Sequence, residues 1–370
     1  MASNPFDERY PMGPRIHEKM PNAKVDFYDV REEPFTVYGL YDYKNQPEFV
    51  RMDPGVAETL NPGLRGTYRH TTGGRVRFST DSSFIAIRCH MEKVSPMAHM
   101  ALSGTSGFDL YLDTDEGGIY LGELRPNFAM TRGYENVRSF RFPEKKMREF
   151  TIHFPLYNGV TNLFVGVDEG SAVGPGRRYK HEKPVVYYGS SITQGACAIR
   201  PGLSYQNIIS RYYDCNHINL GFSSGGKGED AMIEYMSNLD MSIFVSDYDH
   251  NTPSTEHLDS SLRKLYKVFR EKKPDLPIVL ISRPDFYKPP ETFDTSAESF
   301  IHRDVIYNVY ADAFKAGDRN IYYIDGERVM AGKWRECCFI DMEHPNDLGN
   351  FRMADVIGDM VGKIFERAEI

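Results

Sequence analysis

The alternation of short apolar runs with helical segments in the second half of the chain limits the possible folds most. The five runs, all predicted strands, are residues 184–188, 217–220, 241–245, 277–281 and 321–324. Between them apolar residues recur at helical spacing, as at 258–269 before Pro274. Apolar strands that alternate with helices are typical of a parallel sheet covered by helices on both faces. We therefore predict a three-layer α/β domain over residues 175–370.

The first half of the chain has a different pattern, with short alternating segments separated by Gly, Pro, Asn and Asp. Ile85, Ile87 and Cys89 alternate with other residues in one such segment. The predicted strands are residues 75–79, 85–91, 108–112, 150–154 and 163–167. Several short strands joined by turns predict an antiparallel, jelly-roll-like β-sandwich. The predicted organisation is an N-terminal extension (1–29), a β-sandwich (30–174) and the α/β domain (175–370).

The composition indicates which binding partners and which cellular compartment to expect. The net charge of −8 disfavours nucleic acid and an anionic membrane as partners. The sequence contains no run of 18 apolar residues, so it predicts no transmembrane helix. The first residues lack the apolar core of a signal peptide. The five cysteines, an odd number without metal-ligand spacing, are typical of reduced thiols. We expect a cytoplasmic protein that binds neither nucleic acid nor membrane.

Polar residues follow the predicted strands at the positions where a parallel sheet places its ligands, beyond the carboxyl ends. Gly-Ser-Ser-Ile (189–192) follows the first strand, and Ser-Ser-Gly-Gly (223–226) follows the second. Asp-Tyr-Asp-His-Asn (247–251) follows the third strand, and Asp-Met-Glu-His-Pro-Asn (341–346) comes after the fifth. We expect a hydroxyl, an imidazole, a carboxylate, an amide and main-chain donors to meet at one edge of the sheet.

These groups are the ones that acyl transfer requires. A serine hydroxyl is a weak nucleophile until a neighbouring base removes its proton, and histidine is suited to that task near neutral pH. Asp341 precedes His344 by three residues, so its carboxylate can fix the tautomer of the imidazole. The tetrahedral intermediate then needs preorganised donors around its oxyanion, each contributing about 3 kcal/mol.

The four blocks resemble those of the SGNH/GDSL hydrolase superfamily. The resemblance implies that Ser191 is the nucleophile, because it rather than Ser190 occupies the serine position of the family block. It also implies that His344 and Asp341 are the acid–base pair, and that the Asn251 side chain donates to the oxyanion. The main-chain N–H of Ser191 is expected to contribute a further donor to this oxyanion hole.

One block departs from the family pattern. The family commonly has glycine where this chain has Ser224. A main-chain N–H is the expected contribution at this position, and serine retains it. Gly225 is the alternative donor after a shift of one residue, so both Ser224 and Gly225 are candidates for the oxyanion hole.

A second resemblance lies in the first half of the chain. Gly-Phe-Asp-Leu-Tyr (107–111) resembles the Gly-x-Asp-Leu-Tyr motif of a β-sandwich domain that precedes a subset of these hydrolases. This subset implies a flavodoxin-like α/β domain and esterase activity, often on acetylated carbohydrates, without metal or cofactor. Asp109 and Tyr111 are expected to stabilise the domain junction, and at the level of sequence it is open whether they also line the cleft.

Several alternatives remain open at the level of sequence. The expected activity is removal of a short acyl group, acetyl above all, from a small-molecule or oligosaccharide ester. The same triad would also serve an acyltransferase, and a carbohydrate-binding protein without catalysis is a further alternative. Specificity is expected to depend on loops 196–203 and 284–295. Asp247 and Asp249 are interpreted as capping or hydrogen-bonding groups, with binding of substrate or of a cation as the alternative. The edge strands of a sandwich leave a homo-oligomer open.

Overall fold

The computed structural model describes residues 16–94, 96–128, 132–284 and 296–368. Its strands are β1 (Val25–Asp29), β2 (Thr36–Tyr38), β3 (Arg75–Thr80), β4 (Phe84–His90), β5 (Phe108–Thr114), β6 (Gly117–Leu124), β7 (Gly133–Ser139), β8 (Arg148–His153), β9 (Asn162–Asp168), β10 (Val173–Pro175), β11 (His181–Gly189), β12 (Cys215–Gly221), β13 (Ile243–Asp247), β14 (Ile278–Ile281) and β15 (Ile321–Ile324). Its α-helices are α1 (Ile16–Lys19), α2 (Pro54–Ala57), α3 (Pro62–Thr67), α4 (Leu102–Thr105), α5 (Ser191–Gln194), α6 (Tyr205–Tyr213), α7 (Asp230–Ser237), α8 (Thr255–Lys272), α9 (Ser296–Lys315), α10 (Gly326–Val329) and α11 (Asp347–Ala368).

The chain forms two compact units. Among the described residues, those of unit 1 fall within 1–51, 69–178 and 199–202, and those of unit 2 fall within 52–68, 179–198 and 203–370. Two segments therefore belong to a different unit from their neighbours along the chain. Segment 52–68, which carries α2 and α3, is part of unit 2, and the four residues 199–202 are part of unit 1. The predicted limits at residues 29/30 and 174/175 stay predictions.

Unit 1 is a β-sandwich, as predicted. One sheet has the strand order β1-β9-β4-β7, and the other has the order β10-β3-β8-β5-β6, with β2 paired to β3. Every strand pair in these sheets is antiparallel. Alternate residues of each strand enter the core between the sheets, so Val76 and Phe78 of β3 pack in one cluster with Ile85 and Ile87 of β4. This period of two is the pattern that predicted the strands.

Unit 2 is built on a parallel five-stranded sheet with the order β12-β11-β13-β14-β15. Numbered from the first strand, the order is 2-1-3-4-5, which is the flavodoxin-like arrangement. One face carries Val185 and Val245, which pack with Ile357 of α11 in a buried cluster. On the other face, Phe244 packs against Phe269 of α8 with 4.5 Å between ring centroids. The predicted three-layer α/β fold is confirmed.

Two strand ends are central to the site. β11 and β13 are neighbours, and β12 lies on the other side of β11, so the direction of strand succession reverses at β11/β13. In open α/β sheets ligands bind at such a switch point. The Gly-Ser-Ser block follows β11, and the block that ends in Asn251 follows β13. Within the described part of the chain, none of the helices is both long and apolar enough to cross a membrane.

Candidate active site

The two serines after β11 have different surroundings. Ser190 is fully buried, and its hydroxyl caps α5 by accepting the Ile192 N–H at 3.2 Å. Ser191 is the first residue of α5 and is 8% exposed. A capping serine has its hydroxyl committed to the helix, whereas the next residue points its side chain away from the helix end. Ser190 therefore has a structural role as a helix cap, whereas the Ser191 hydroxyl contacts the loop that carries His344.

The block 341–346 forms a compact loop in which Asp341 holds His344 from two sides. The Asp341 carboxylate accepts the main-chain N–H of His344 at 2.8 Å through Oδ1 and the ring Nδ1 at 2.8 Å through Oδ2. Met342 between them adopts the left-handed conformation, with φ of 69°. Asn346 then caps α11, since its Oδ1 accepts the N–H groups of Leu348 and Gly349. This loop positions the imidazole in a single orientation.

The imidazole of His344 lies within hydrogen-bond distance of the Ser191 hydroxyl. Ser191 Oγ lies 2.9 Å from His344 Nε2, although the two residues are 153 positions apart along the chain. Because Nδ1 faces a carboxylate, the neutral ring carries its proton on Nδ1, and Nε2 accepts from the serine hydroxyl. Ser191, His344 and Asp341 therefore form a continuous hydrogen-bonded chain of hydroxyl, imidazole and carboxylate.

The ionisation of Asp341 fits this arrangement. Partial burial raises the pKa of its carboxyl, but the hydrogen bonds from the main chain and ring of His344 outweigh burial and hold the pKa below its ordinary value. The carboxylate is consequently charged throughout the neutral range. A charged partner at Nδ1 stabilises the imidazolium that forms when the ring takes up a proton.

Beside this chain lies the turn that follows β12. Ser224 adopts φ of 57°, a left-handed conformation that glycine adopts more easily than serine. The N–H of Gly225 donates to the carbonyl of Phe222 at 2.9 Å, so it is engaged within the turn. Asn251 Nδ2 also donates to the Phe222 carbonyl, at 3.0 Å, which leaves the second proton of this amide for another acceptor.

The acidic residues beside Asn251 have structural contacts. Asp247 Oδ2 accepts the Thr193 hydroxyl at 3.3 Å, and Asp249 Oδ2 accepts the Arg283 N–H at 3.2 Å. With His250 they form a group whose possible ligand atoms lie within 4.8 Å of one another. The contacts to Thr193 and Arg283 join the end of β13 to neighbouring segments, and the interpretation of these carboxylates as capping or hydrogen-bonding groups stays a prediction.

The Gly-x-Asp-Leu-Tyr motif binds residues of the segment 199–202, which follows α5 along the chain. Asp109 is fully buried, and its Oδ2 accepts the Gly202 N–H and a guanidinium nitrogen of Arg200, both at 2.7 Å. The same nitrogen donates to the Tyr111 hydroxyl at 2.6 Å. All these residues belong to unit 1. The motif thus holds part of loop 196–203, one of the two predicted specificity loops; residues 285–295 of the other lie outside the described residues.

Comparison with known proteins identifies the class of this fold and site. Residues 182–362 match the model of the GDSL-like lipase/acylhydrolase family, and residues 25–173 match the model of the GxDLY N-terminus of SGNH-type esterases. The chain is an SGNH hydrolase. More narrowly, it belongs to the subset that carries the GxDLY domain, as the sequence blocks predicted. A search of curated proteins found no significant match.

Solved structures share the whole architecture. A GDSL-like lipase-type protein from Bacteroides ovatus ATCC 8483 matches with a TM-score of 0.83 at 24% identity, covering 93% of this chain and 98% of that one. The salicylyl-acyltransferase SsfX3 of a tetracycline biosynthetic pathway matches with a TM-score of 0.72 at 19% identity, covering 90% of this chain and 95% of that one. A family two carbohydrate esterase from Clostridium thermocellum, in complex with cellohexaose, matches with a TM-score of 0.60 at 13% identity, covering 90% of this chain and 99% of that one. At these identities the likeness shows the fold.

The sequence did not point to one neighbour of the site. Asn61, which caps α3, donates through Nδ2 to the carbonyl of Gly225 at 2.8 Å. Asn followed by Pro62 is a recognisable helix start, so the cap itself was predictable. The contact with a turn 164 residues away was not, because no local pattern encodes it.

Proposed function

We propose that this protein is a serine esterase that hydrolyses a short-chain ester, most specifically an acetyl ester, on a carbohydrate or related alcohol. The single observation that carries the proposal is the 2.9 Å approach of Ser191 Oγ to His344 Nε2, with Asp341 2.8 Å from the other ring nitrogen. The similarity in fold to a carbohydrate esterase solved with cellohexaose supports a sugar as the alcohol part.

The proposed reaction has two halves. His344 Nε2 takes the proton of Ser191 while Oγ attacks the ester carbonyl, and the imidazolium then protonates the leaving alcohol as the carbon–oxygen bond breaks. Water enters, gives a proton to His344, and attacks the acyl-enzyme. The imidazolium returns that proton to Ser191 Oγ, and the acid is released. Asp341 stays ionised throughout and stabilises each imidazolium.

The oxyanion is proposed to be bound by the main-chain N–H groups of Ser191 and Ser224 and by the side chain of Asn251. Between the two candidates in the turn after β12, the engagement of the Gly225 N–H with Phe222 favours Ser224. The left-handed φ of Ser224 supports this assignment, because strained backbone is retained where it directs a functional group.

Hydrolysis rather than transfer to another alcohol is supported by solvent access. The side chains of His344 and Asp341 are 17% and 41% exposed, so water reaches the general base. Excluding water from a site protects a reactive intermediate such as an acyl-enzyme from hydrolysis. We expect that adding methanol diverts acyl groups only in proportion to its concentration. Preferential transfer to methanol or to a sugar at low concentration would favour the acyltransferase, a function borne by one structural relative.

The central experiment compares the wild type with Ser191→Ala on p-nitrophenyl acetate and on acetylated oligosaccharides. The variant is expected to lose more than about 10³-fold in kcat. Ser190→Ala is the matched control, because that hydroxyl caps α5 and does not meet His344. Full activity of Ser191→Ala would refute the proposal. Glycan binding without turnover, together with no labelling of Ser191 by a fluorophosphonate, would support a binding protein without catalysis.

A further inference from the structure

Helix α3 lies against the turn that carries the proposed oxyanion donor. Residues 223–225, called the oxyanion turn below, follow β12 in unit 2, and α3 belongs to the same unit. The Cα of Gly63 faces the main chain of this turn so closely that a Cβ at position 63 would lie 2.6 Å from the Ser224 carbonyl oxygen. A Cβ at Gly225 would lie 2.5 Å from the Leu64 nitrogen. Backbone therefore packs on backbone where Gly63 and Gly225 face each other's segments.

Asn61 adds directional bonds to this contact. Its Oδ1 caps α3 by accepting the Leu64 N–H at 3.1 Å. Its Nδ2 donates one proton to the Gly225 carbonyl at 2.8 Å and the other to Glu229 Oε2 at 2.7 Å, and its main-chain N–H donates to Glu229 Oε1 at 3.2 Å. Both side-chain donors and the side-chain acceptor of this amide are therefore used. Such an amide has one orientation, and it fixes the carbonyl of Gly225 relative to α3.

The turn needs external support. Ser224 is held at φ of 57°, where a residue with a Cβ costs roughly 1–2 kcal/mol relative to the right-handed region. The turn's internal bonds run from Gly225 and Gly226 to the Phe222 carbonyl, and the contacts with α3 add to them. The peptide that joins Ser224 to Gly225 is the one that Gly63 touches, and the next carbonyl is the one that Asn61 binds. Both contacts therefore act on the peptide units immediately after the proposed donor.

We propose that Asn61 and Gly63 are positioning residues for catalysis: they hold the oxyanion turn so that the Ser224 N–H points at the developing oxyanion. The inference rests on the proposed esterase function and extends it to a segment that the sequence places within the first domain. Neither residue touches the reacting atoms. Their effect is on the orientation of a main-chain donor, which matters more in the transition state than in substrate binding.

The sharpest test uses two glycines of the same helix. Gly63→Ala puts a methyl group against the oxyanion turn, whereas Gly66→Ala, also in α3, puts it in open space. Both changes replace glycine with alanine, the residue of highest helix propensity. We expect Gly63→Ala to lower kcat on p-nitrophenyl acetate by about tenfold or more with KM within twofold, since complete loss of one oxyanion donor costs about 10²–10³ in kcat. Gly66→Ala is expected to stay within about twofold of the wild type.

A second variant tests Asn61 without removing the helix cap. In Asn61→Asp the carboxylate still caps α3, but the donor to the Gly225 carbonyl is lost and a negative charge faces Glu229. Combining it with Glu229→Gln relieves that repulsion and restores a donor–acceptor pair, but not the bond to Gly225. We expect the double variant to recover its melting temperature while kcat remains about tenfold low. Recovery of kcat together with the melting temperature would overturn the role of Asn61.

Affinity for phenylboronic acid separates positioning from general loosening of the fold. The boronate forms a tetrahedral adduct with Ser191 whose oxygens lie where the oxyanion forms, so its inhibition constant is expected to rise in proportion to the loss of kcat/KM in Gly63→Ala. Equal kcat values for Gly63→Ala and Gly66→Ala, or lost kcat with unchanged boronate affinity, would overturn the inference. If circular dichroism shows Gly63→Ala to be unfolded, the kcat of the Asn61→Asp variants tests the inference in its place. Failure of the esterase proposal itself is distinguishable, because the wild type would then show no turnover, or Ser191→Ala would remain fully active.

Discussion

Arg200 offers a quantitative test of why the Gly-x-Asp-Leu-Tyr motif is needed. Its guanidinium lies 2.7 Å from the fully buried Asp109 carboxylate and 2.6 Å from the Tyr111 hydroxyl, and it stacks 3.8 Å above the centre of the Tyr120 ring. The Arg200→Ala variant removes these contacts together. Asp109 then keeps the Gly202 N–H but loses the positive charge that compensates its burial.

The expected cost follows from burial. Breaking a buried ion pair by removing one partner destabilises a protein by about 3–5 kcal/mol, because a buried charge is left behind. Arg200 is 18% exposed, so we take the lower end, about 3 kcal/mol or roughly a hundredfold in the unfolding equilibrium of unit 1. Arg177→Ala is the matched control in the same unit. Its partners Asp115 and Glu149 are 92% and 41% exposed, and such surface pairs contribute at most about 1 kcal/mol each.

Hydrogen exchange measured on peptides from β5 and β8 reports the free energy of unfolding of unit 1 separately from that of unit 2. We expect exchange in these strands to accelerate in Arg200→Ala and to change little in Arg177→Ala. Adding Asp109→Asn to Arg200→Ala removes the buried charge and is expected to recover more than about 1 kcal/mol. The reasoning is refuted if the two arginine variants are equally stable, or if the effects of Asp109→Asn and Arg200→Ala simply add.

Three further predictions concern the site itself. Asn251→Ala is expected to lower kcat by about 10²–10³-fold with little change in KM, and the reverse pattern would count against an oxyanion role. Ser224→Gly removes left-handed strain of about 1 kcal/mol while keeping the N–H, so thermal melting and kcat should be at or slightly above wild type; a large loss of kcat would implicate the side chain. Because the His344 hydrogen bonds lower the pKa of Asp341 despite partial burial, the stability they contribute should persist above about pH 4 and be lost as pH falls through the lowered pKa. A loss of stability already at about pH 5–6 in wild type but not in Asp341→Asn would contradict this.

Much of the fold could be predicted because its patterns are local. The apolar runs of the second half became β11–β15, since a strand buried on both faces needs continuous apolar sequence. The alternating segments of the first half became sandwich strands because alternate residues of each strand enter the apolar core between the sheets. The candidate site was predictable because parallel strands carry their following residues to one edge. Ser191 and His344 were therefore expected together without knowledge of any distance.

Other features could not be predicted because they depend on contacts between distant segments. Nothing near Asn61 in the sequence encodes its bond to Gly225, and nothing near Arg200 shows that four residues join the β-sandwich. The choice between Ser224 and Gly225 as oxyanion donor depended on which of the two N–H groups is hydrogen-bonded within the turn. The backbone torsions of the turn determine this. Sequence patterns record side-chain chemistry and periodicity, whereas these features depend on the orientation of main-chain groups.

This difference explains how Ser224 is tolerated where related proteins commonly have glycine. A main-chain donor needs a fixed peptide plane, and the plane can be fixed either by a residue that adopts the required torsion without strain or by packing that holds a strained one. In this chain Gly63 and Asn61 supply such packing, so the restriction on side-chain size lies at position 63 rather than at 224. It follows that Ser224→Gly should make the turn less dependent on α3. In the Ser224→Gly background, Asn61→Asp should then reduce kcat by less than it does in wild type.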